Sequence, residues 1–209
     1  MKLFYAETLN PRKACAAAMH MKAPVEFVHV DLGQGGHRKP AFLAINPNGK
    51  VPVLQHGGGT LWESNAIMCH LSDVTGADLW PHDARQIEVL RWLSWDMAHF
   101  TRHGGTLYFE YLIKPALGLG TPDAAAVRQA TAQFETGASV LDAHLRTRSF
   151  LVGDALSVAD FAVAAALPYA ERANIPLQDF PAIGRWYERM NDLTAWREPF
   201  PITEMKIYC

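Results

Sequence analysis

The sequence predicts an α/β domain of βαβ-ββα order with a mixed four-stranded sheet, followed by an all-α helical bundle domain. Three observations carry this prediction. A strand, a helix and a second strand fit within the first thirty residues. Two short apolar runs flank His56-Gly57-Gly58-Gly59, the pattern of a hairpin. After Asp83 the apolar residues recur at helical spacing, without strand-like alternation.

The elements follow in order. Lys2-Leu3-Phe4-Tyr5 reads as a strand. Asn10 suits an N-cap with Pro11 at the first helical position, and the alanine-rich run from Arg12 to Met21 continues the helix until Pro24. Val25 to Val30 is the second strand, so the first two strands are expected to be parallel with a right-handed crossover. Gly33 to Lys39 is a polar glycine-rich loop, and Pro40 to Ile45 has room for a turn or two of helix. Val53-Leu54 and Leu61-Trp62 form the hairpin. Ser64 opens a helix with Ile67, Met68, Leu71 and Val74 on one face, closed by Gly76.

In the second domain Ile87, Leu90, Leu93 and Met97 step round one helix face, with Trp92 and Trp95 close by. Val127, Ala130, Phe134, Ala138, Leu141 and Leu145 mark a long helix that Thr121-Pro122 starts. Ser157-Val158-Ala159-Asp160 resembles a capping box, and Leu156 and Phe161 are spaced for a hydrophobic staple. The helix it opens is apolar nearly all round as far as Leu167 and belongs at the centre of a bundle. Ile183, Trp186, Tyr187 and Met190 mark one more helix. The expected domains are residues 1–77 and 84–209, joined by a connector over 78–83 that contains Pro81. The tail after Pro199 is left open between folding over a site and lying free.

Composition narrows the function classes. Of 209 residues, 49% are hydrophobic and 19% charged, enough for a buried core in one large or two small domains. A formal net charge of −2 gives no electrostatic footprint for nucleic acid or a membrane surface. The longest apolar run, Phe161 to Leu167, is far short of the ~18 residues of a membrane span. Polar Glu7 and Asn10 interrupt any signal-peptide core. The cysteines Cys15, Cys69 and Cys209 form no CxxC pair, which suits unbridged thiols in a reducing cytoplasm.

The stretch Asn46 to Ser64, NPNGKVPVLQHGGGTLWES, carries two site-like features. Val51 precedes proline and is driven to an extended conformation, so its N–H and C=O can pair with a peptide backbone as an added strand does. The alternative is a plain strand entry with a trans proline, since only ~5% of X-Pro bonds in folded proteins are cis. Glu63-Ser64 opens a helix with an acid beside a hydroxyl, which suits the ammonium and carboxylate of a free amino-acid end. The same pair also serves as a simple helix cap. Cations for a second carboxylate are available at His37, Arg38, Lys39 and Lys50. Gly33-Gln34-Gly35-Gly36 lacks the GxGxxG spacing of a phosphate loop.

A βαβ-ββα domain followed by an all-helical one resembles the cytosolic glutathione transferases, whose first domain is thioredoxin-like. NPNGKVPVL followed by ESNAI is similar to that superfamily's glutathione-binding pattern, and SVADF is similar to its capping motif in the helical domain. The loop VDLGQGGHRKPAFL and the run TLYFEYLIKPALGL resemble bacterial nu-type and plant phi-type members most. The resemblance implies glutathione as co-substrate and a homodimer. It places Val51 and a cis Pro52 on the peptide backbone, Glu63 and Ser64 on the γ-glutamyl end, and His37 and Lys50 on the glycine carboxylate. Arg38 and Lys39 are expected to be solvated.

The reaction then needs a thiolate. A free thiol of pKa ~8.5 is only a few per cent ionised at neutral pH, and lowering that pKa by about two units takes ~2.7 kcal/mol. A helix N-terminus supplies ~0.3–1 kcal/mol, so a hydrogen bond to the charged sulfur, worth ~1.5–3 kcal/mol, must supply most of it. The resemblance puts Thr8 at the position of that donor, with Asn10 either holding the sulfur or capping the helix. Tyr5 is the rival donor, and equally a strand packing residue. The nucleophilic cysteine of the omega and beta classes is absent, leaving Cys15 as a small core residue. Leu9, Trp95, His99, Tyr108 and Leu112 are the expected lining of an electrophile pocket. His99 and His103 share a helix face without a third ligand, so no metal is expected.

Two enzymatic readings follow: conjugation to an apolar electrophile, or reduction of a small disulfide. The alternative is a non-catalytic binding or interaction module of the same fold.

Overall fold

A computed structural model describes residues 1–201. They group into two compact units, Met1–Gly76 together with the segment from Leu193, and Ala77–Asp192.

In the first unit β1 (Lys2–Tyr5), α1 (Leu9–His20) and β2 (Glu26–His29) make the βαβ start. A single turn, α2 (Pro40–Leu43), precedes the hairpin β3 (Val53–His56) and β4 (Gly59–Trp62), and α3 (Ser64–Thr75) closes the unit. The sheet order is β2-β1-β3-β4, with β1 parallel to β2 and antiparallel to β3. Gly57 and Gly58 turn the hairpin at φ of 52° and 81°, a conformation that side chains with a Cβ rarely adopt. Alternation along β1 buries Leu3 and Tyr5 on one face and directs Phe4 to the other, against Phe42 at 6.2 Å. Alanines line α1, where Ala14 to Ala17 are wholly buried, so the helix lies close to its neighbours.

Two expectations change here. The N-cap of α1 is Thr8, with extended φ and ψ of −132° and 171°, in place of Asn10. Pro11 falls at the third helical position, where its missing N–H costs nothing because the first four amides of a helix lack partners. On α3, Ile67, Met68 and Leu71 are buried while Val74 is exposed. Gly76 does cap that helix, at φ 69°.

The second unit contains α4 (Arg85–His99), α5 (Thr101–Tyr108), a π-helical turn (Phe109–Ile113), α6 (Lys114–Ala116) and α7 (Ala124–Leu145). It continues through α8 (Val158–Val163), a 3₁₀ turn (Ala164–Tyr169) and α9 (Pro181–Asn191). The connector over 78–83 is part of this unit. Leu79 is buried, its carbonyl accepts from the Val158 N–H at 2.9 Å, and Arg85 pairs with both Asp78 and Asp83.

On α4 only Leu93 of the expected face is buried. Val89, Trp92, Leu93 and Asp96 are buried, whereas Ile87, Leu90 and Met97 are exposed. Asp96 is tolerated inside because its carboxylate accepts from the Thr101 hydroxyl at 2.6 Å. The cap of α7 is Asp123, whose carboxylate accepts from Ala125 and Ala126, and not Thr121-Pro122.

The capping box of α8 forms as the sequence predicts. Asp160, fully buried, accepts from the Leu151 N–H at 3.0 Å and the Ser157 N–H at 2.9 Å. It also accepts from the Ser157 hydroxyl at 3.0 Å and the Trp186 indole at 2.9 Å. Everything from Val158 to Leu167 is buried. Pro168 cannot donate to the preceding turn and crowds it, which accounts for the tightening into the 3₁₀ form.

The segment from Leu193 leaves the helical unit, against the expected extent of 84–209, and packs on α1. Within it, α10 (Thr194–Arg197) buries Trp196 completely. Arg12 on α1 donates to the Trp196 carbonyl at 2.6 Å and lies 5.2 Å from its ring centre. Phe200 stacks on Tyr5 at 5.7 Å. Of the tail after Pro199, residues 202–209 lie outside the described residues.

Candidate active site

Strand register brings the N-terminal loop and the Asn46–Ser64 stretch together. Val53 pairs with Trp62 in the hairpin and with Phe4 of β1. Pro52 and Glu63 are therefore neighbours at the open end of the hairpin, beside the loop that leaves β1 towards Thr8.

Between this loop and the chain before β3 lies a cleft of about 720 Å³. Its lining residues are Thr8, Leu32, His37, Arg38, Leu43, Asn48, Gly49, Lys50 and Val51. Four of the sequence-predicted site residues thus share one cleft. Asn10, Pro52, Glu63 and Ser64 are not among the lining.

Thr8 is a helix cap by backbone only. Its side chain makes no capping hydrogen bond, and its hydroxyl has no partner among the described residues. A threonine at this position normally turns its oxygen onto the helix amides, so here the hydroxyl is available to a ligand. Asn10 is exposed in the first turn of α1. Tyr5 is outside the cleft. It is buried edge-on against Phe27 and His29 at 6.1 and 5.5 Å, as a packing residue of the sheet.

The Val51–Pro52 peptide is cis, as the resemblance implies. The backbone of Val51, in the bend before β3, makes no hydrogen bond among the described residues, which leaves an unpaired backbone edge at the cleft. The loop before it is held by Asn46, which is buried. Its amide donates to the Lys50 carbonyl at 2.7 Å, and its side-chain oxygen accepts from the Asn48 N–H and the Asn48 amide, both at 3.0 Å. Gly49 has φ 58°, and a Cβ there would meet the His37 carbonyl at 3.3 Å. Asn46 as the organiser of this loop was missed by sequence reasoning. The signal was present in the Asn-Pro-Asn-Gly run, which reads as turn chemistry of the kind Asn46 supplies.

His37 sits in a 3₁₀ turn (Gly36–Arg38) and accepts at Nε2 from Arg38 Nε at 3.3 Å. That assigns the neutral ring's proton to Nδ1, which is buried without a partner. An N–H donor in a basic cleft, with Arg38 and Lys50 beside it, suits a carboxylate. Arg38 is exposed, as expected, and also lines the cleft.

Glu63 occupies the N-cap position of α3 at φ 70°, ψ 114°, a region non-glycine residues avoid at a cost of about 1–3 kcal/mol. Its side chain does not cap the helix, and the buried Ser64 makes no side-chain hydrogen bond among the described residues. The first-turn amides of α3 are thus left open for an anion.

The expected electrophile-pocket residues are placed as follows, each within its own unit. Leu9 is buried in the first turn of α1. Trp95 stacks on Phe100 at 5.5 Å and lines a different hollow, His99 is exposed at the end of α4, and Leu112 is half-buried in the π-helical turn. Tyr108 is buried edge-on to Tyr169 at 4.8 Å, and burial pushes its phenol up to about 12. Burial also pushes the Cys15 thiol far above its ordinary range and that of Cys69 up to about 12, which disfavours the thiolate at both. Among the described residues no group of three or more His, Cys, Asp or Glu could hold a metal.

The βαβ-ββα unit with an anion-ready helix start, and the separate helical unit, define a thioredoxin-like domain joined to an all-helical one. Residues 1–73 match the family model of the glutathione S-transferase N-terminal domain, and 100–193 that of its C-terminal domain. Glutathione S-transferase 3 of Zea mays is 34% identical over 93% of this chain and 90% of its own length. The disulfide-bond oxidoreductase YfcG of Escherichia coli is 28% identical over 92% of this chain and 91% of its own. A structure of glutathione S-transferase-I bound with lactoylglutathione superposes with a TM-score of 0.85 at 25% identity, covering 95% of this chain and 97% of that one. The chain belongs to the glutathione S-transferase family.

Proposed function

We propose that the cleft binds glutathione and that Thr8 turns it into a thiolate nucleophile. The observation that carries this reading is the Thr8 hydroxyl, free of the helix it caps and open to the cleft that the Val51 backbone edge also faces. The glutathione backbone pairs with Val51 as an added strand. Its γ-glutamyl ammonium meets Glu63, and its α-carboxylate meets Ser64 and the open amides of α3. Its glycine carboxylate meets His37 and Lys50, with Arg38 beside them. Asn10 supports the sulfur from the first turn of α1. Leu9, Trp95, His99, Tyr108 and Leu112 are the proposed contacts of the second substrate.

In conjugation the thiolate attacks an apolar electrophile and displaces its leaving group. In disulfide reduction it attacks one sulfur of a small disulfide, expelling the other as a thiolate, and a second glutathione resolves the mixed disulfide. The second version needs no protein cysteine, in keeping with the burial of Cys15. YfcG, by its name, carries out disulfide oxidoreduction, which gives this version equal standing.

Assays for a chromogenic electrophile and for a small disulfide, run side by side at neutral pH, separate the two. Addition of glutathione to the purified protein is expected to raise the ultraviolet thiolate band. With no band and no turnover in either assay, the proposal fails and the non-catalytic module stands.

We also propose a cytoplasmic homodimer. Ile87, Leu90 and Met97 expose 66%, 47% and 47% of their surface along α4, an apolar row suited to a two-fold contact with a second copy. Sedimentation velocity is expected to show a dimer for the wild type and a monomer for Leu90→Glu. A variant that still sediments as a dimer removes α4 from the interface.

A further inference from the structure

His56 ends β3 and His70 lies midway along α3, both in the first unit and neither in the lining of the cleft. The two imidazoles are half-buried, with ring centres 4.3 Å apart and planes tilted by 36°. Neither ring makes a hydrogen bond among the described residues, and His70 Nε2 is buried without a partner. A neutral imidazole carries one donor and one acceptor, so this close pair holds a demand that the fold does not meet. Burial, and then the His56 ring beside it, hold the His70 pKa below the ordinary histidine value, which keeps a ring lone pair available at neutral pH. Asp73, one turn further along α3, brings a negative charge to the pair.

The spacing is one that a metal ion sets. An imidazole nitrogen coordinates at ~2.0–2.1 Å, which puts the ring centre about 3.2 Å from the ion. Two such rings at a right angle about the ion have centres roughly 4.4 Å apart, and at a tetrahedral angle roughly 5.1 Å. The 4.3 Å between His56 and His70 matches the right angle of tetragonal Cu²⁺ and Ni²⁺ better than the wider angle of Zn²⁺. The His56 ring also has room to swing and open His70 Nε2 to an ion. It stands beside the Gly57-Gly58 turn, where a Cβ on either glycine would meet nothing within 4 Å. Protein donors stop at two, since no group of three or more His, Cys, Asp or Glu occurs among the described residues. Water therefore fills the remaining positions.

We propose that His56 and His70 bind one divalent late-transition-metal ion, which staples the hairpin to α3. His70 Nε2 supplies one ligand and a ring nitrogen of His56 the other, at a right angle to it. Cu²⁺ binds more tightly than Ni²⁺ or Zn²⁺, in the usual order for nitrogen ligands.

Titration of the tag-free, full-length protein with NiCl₂ in the absence of glutathione tests this, read by calorimetry and by thermal midpoint. One saturable Ni²⁺ per chain is expected, with a rise in Tm that EDTA reverses. His56→Gln and His70→Gln should each weaken Ni²⁺ binding by about tenfold or more and remove the rise in Tm. Electron paramagnetic resonance with one equivalent of CuCl₂ should show two equatorial imidazole nitrogens in the wild type and one in either variant, a signature that a change in stability alone does not produce. MgCl₂, whose ion takes oxygen ligands, should leave Tm unchanged. Absence of saturable Ni²⁺ binding by the wild type, unchanged affinity in both variants, or an equal rise in Tm with MgCl₂ would each overturn the assignment.

Discussion

Thr8→Ala is expected to lower kcat/KM for either reaction about 10–100-fold at neutral pH, the loss of one hydrogen bond of ~1.5–3 kcal/mol to a charged sulfur. The sign of the pH dependence is specific. A donor to the thiolate lowers the pKa of the bound thiol, so its removal raises that pKa towards the free value of ~8.5. The deficit should therefore be large at neutral pH and shrink as the pH rises past the free thiol pKa, where the sulfur ionises without help. Thr8→Ser keeps the hydroxyl and should retain most activity. The KM for glutathione should change little, because the Val51 edge, Glu63 and Ser64 are untouched. A pH profile of kcat/KM with a constant deficit would show that Thr8 acts on something other than sulfur ionisation. If Tyr5→Phe were the damaging change, the donor would be the phenol, despite its burial against Phe27 and His29.

The second large effect concerns stability. Asp160→Ala removes an acceptor that four donors share, from the Leu151 and Ser157 amides, the Ser157 hydroxyl and the Trp186 indole. All four are buried, so water cannot replace the lost bonds. The expected cost is on the order of 3–5 kcal/mol, read as a fall in Tm of roughly 6–20 °C. Ser157→Ala, which removes one of the four, should cost about 1 kcal/mol. A loss below about 1 kcal/mol for Asp160→Ala in denaturant titration would mean that the loop before α8 and helix α9 are held by packing alone.

These two residues also show what the sequence reveals. Asp160 was legible as the third position of a capping box, because the serine, the acid and the flanking apolar residues stand at fixed local offsets. Its bond to Trp186 was not, since it links residues 26 apart. The parallel first pair of strands and the hairpin were legible through the βαβ spacing and the glycine turn, whereas the order of all four strands was not. The helix faces were legible on α3 and α9 and failed on α4. There, apolar residues lie nearly all round, and the buried set includes Asp96, which periodicity counts as polar until Thr101 is seen to satisfy it. At the site, Thr8, His37, Lys50 and Val51 came together as the motif implies. The role of Asn46 and the strained backbone of Glu63 depend on contacts and dihedrals that no spacing encodes.

The return of α10 to α1 has a consequence for how the chain is made. Arg12 and Trp196 are 184 positions apart, so the helix that follows Thr8 acquires this neighbour only after the whole helical unit has been synthesised. Vectorial synthesis favours domains that close as they appear. Here the first unit is built from two segments, with the helical unit made in between. Completion of the fold around α1 therefore waits for synthesis of the helical unit, and a chain interrupted before Trp196 carries α1 with its Trp196 seat unfilled.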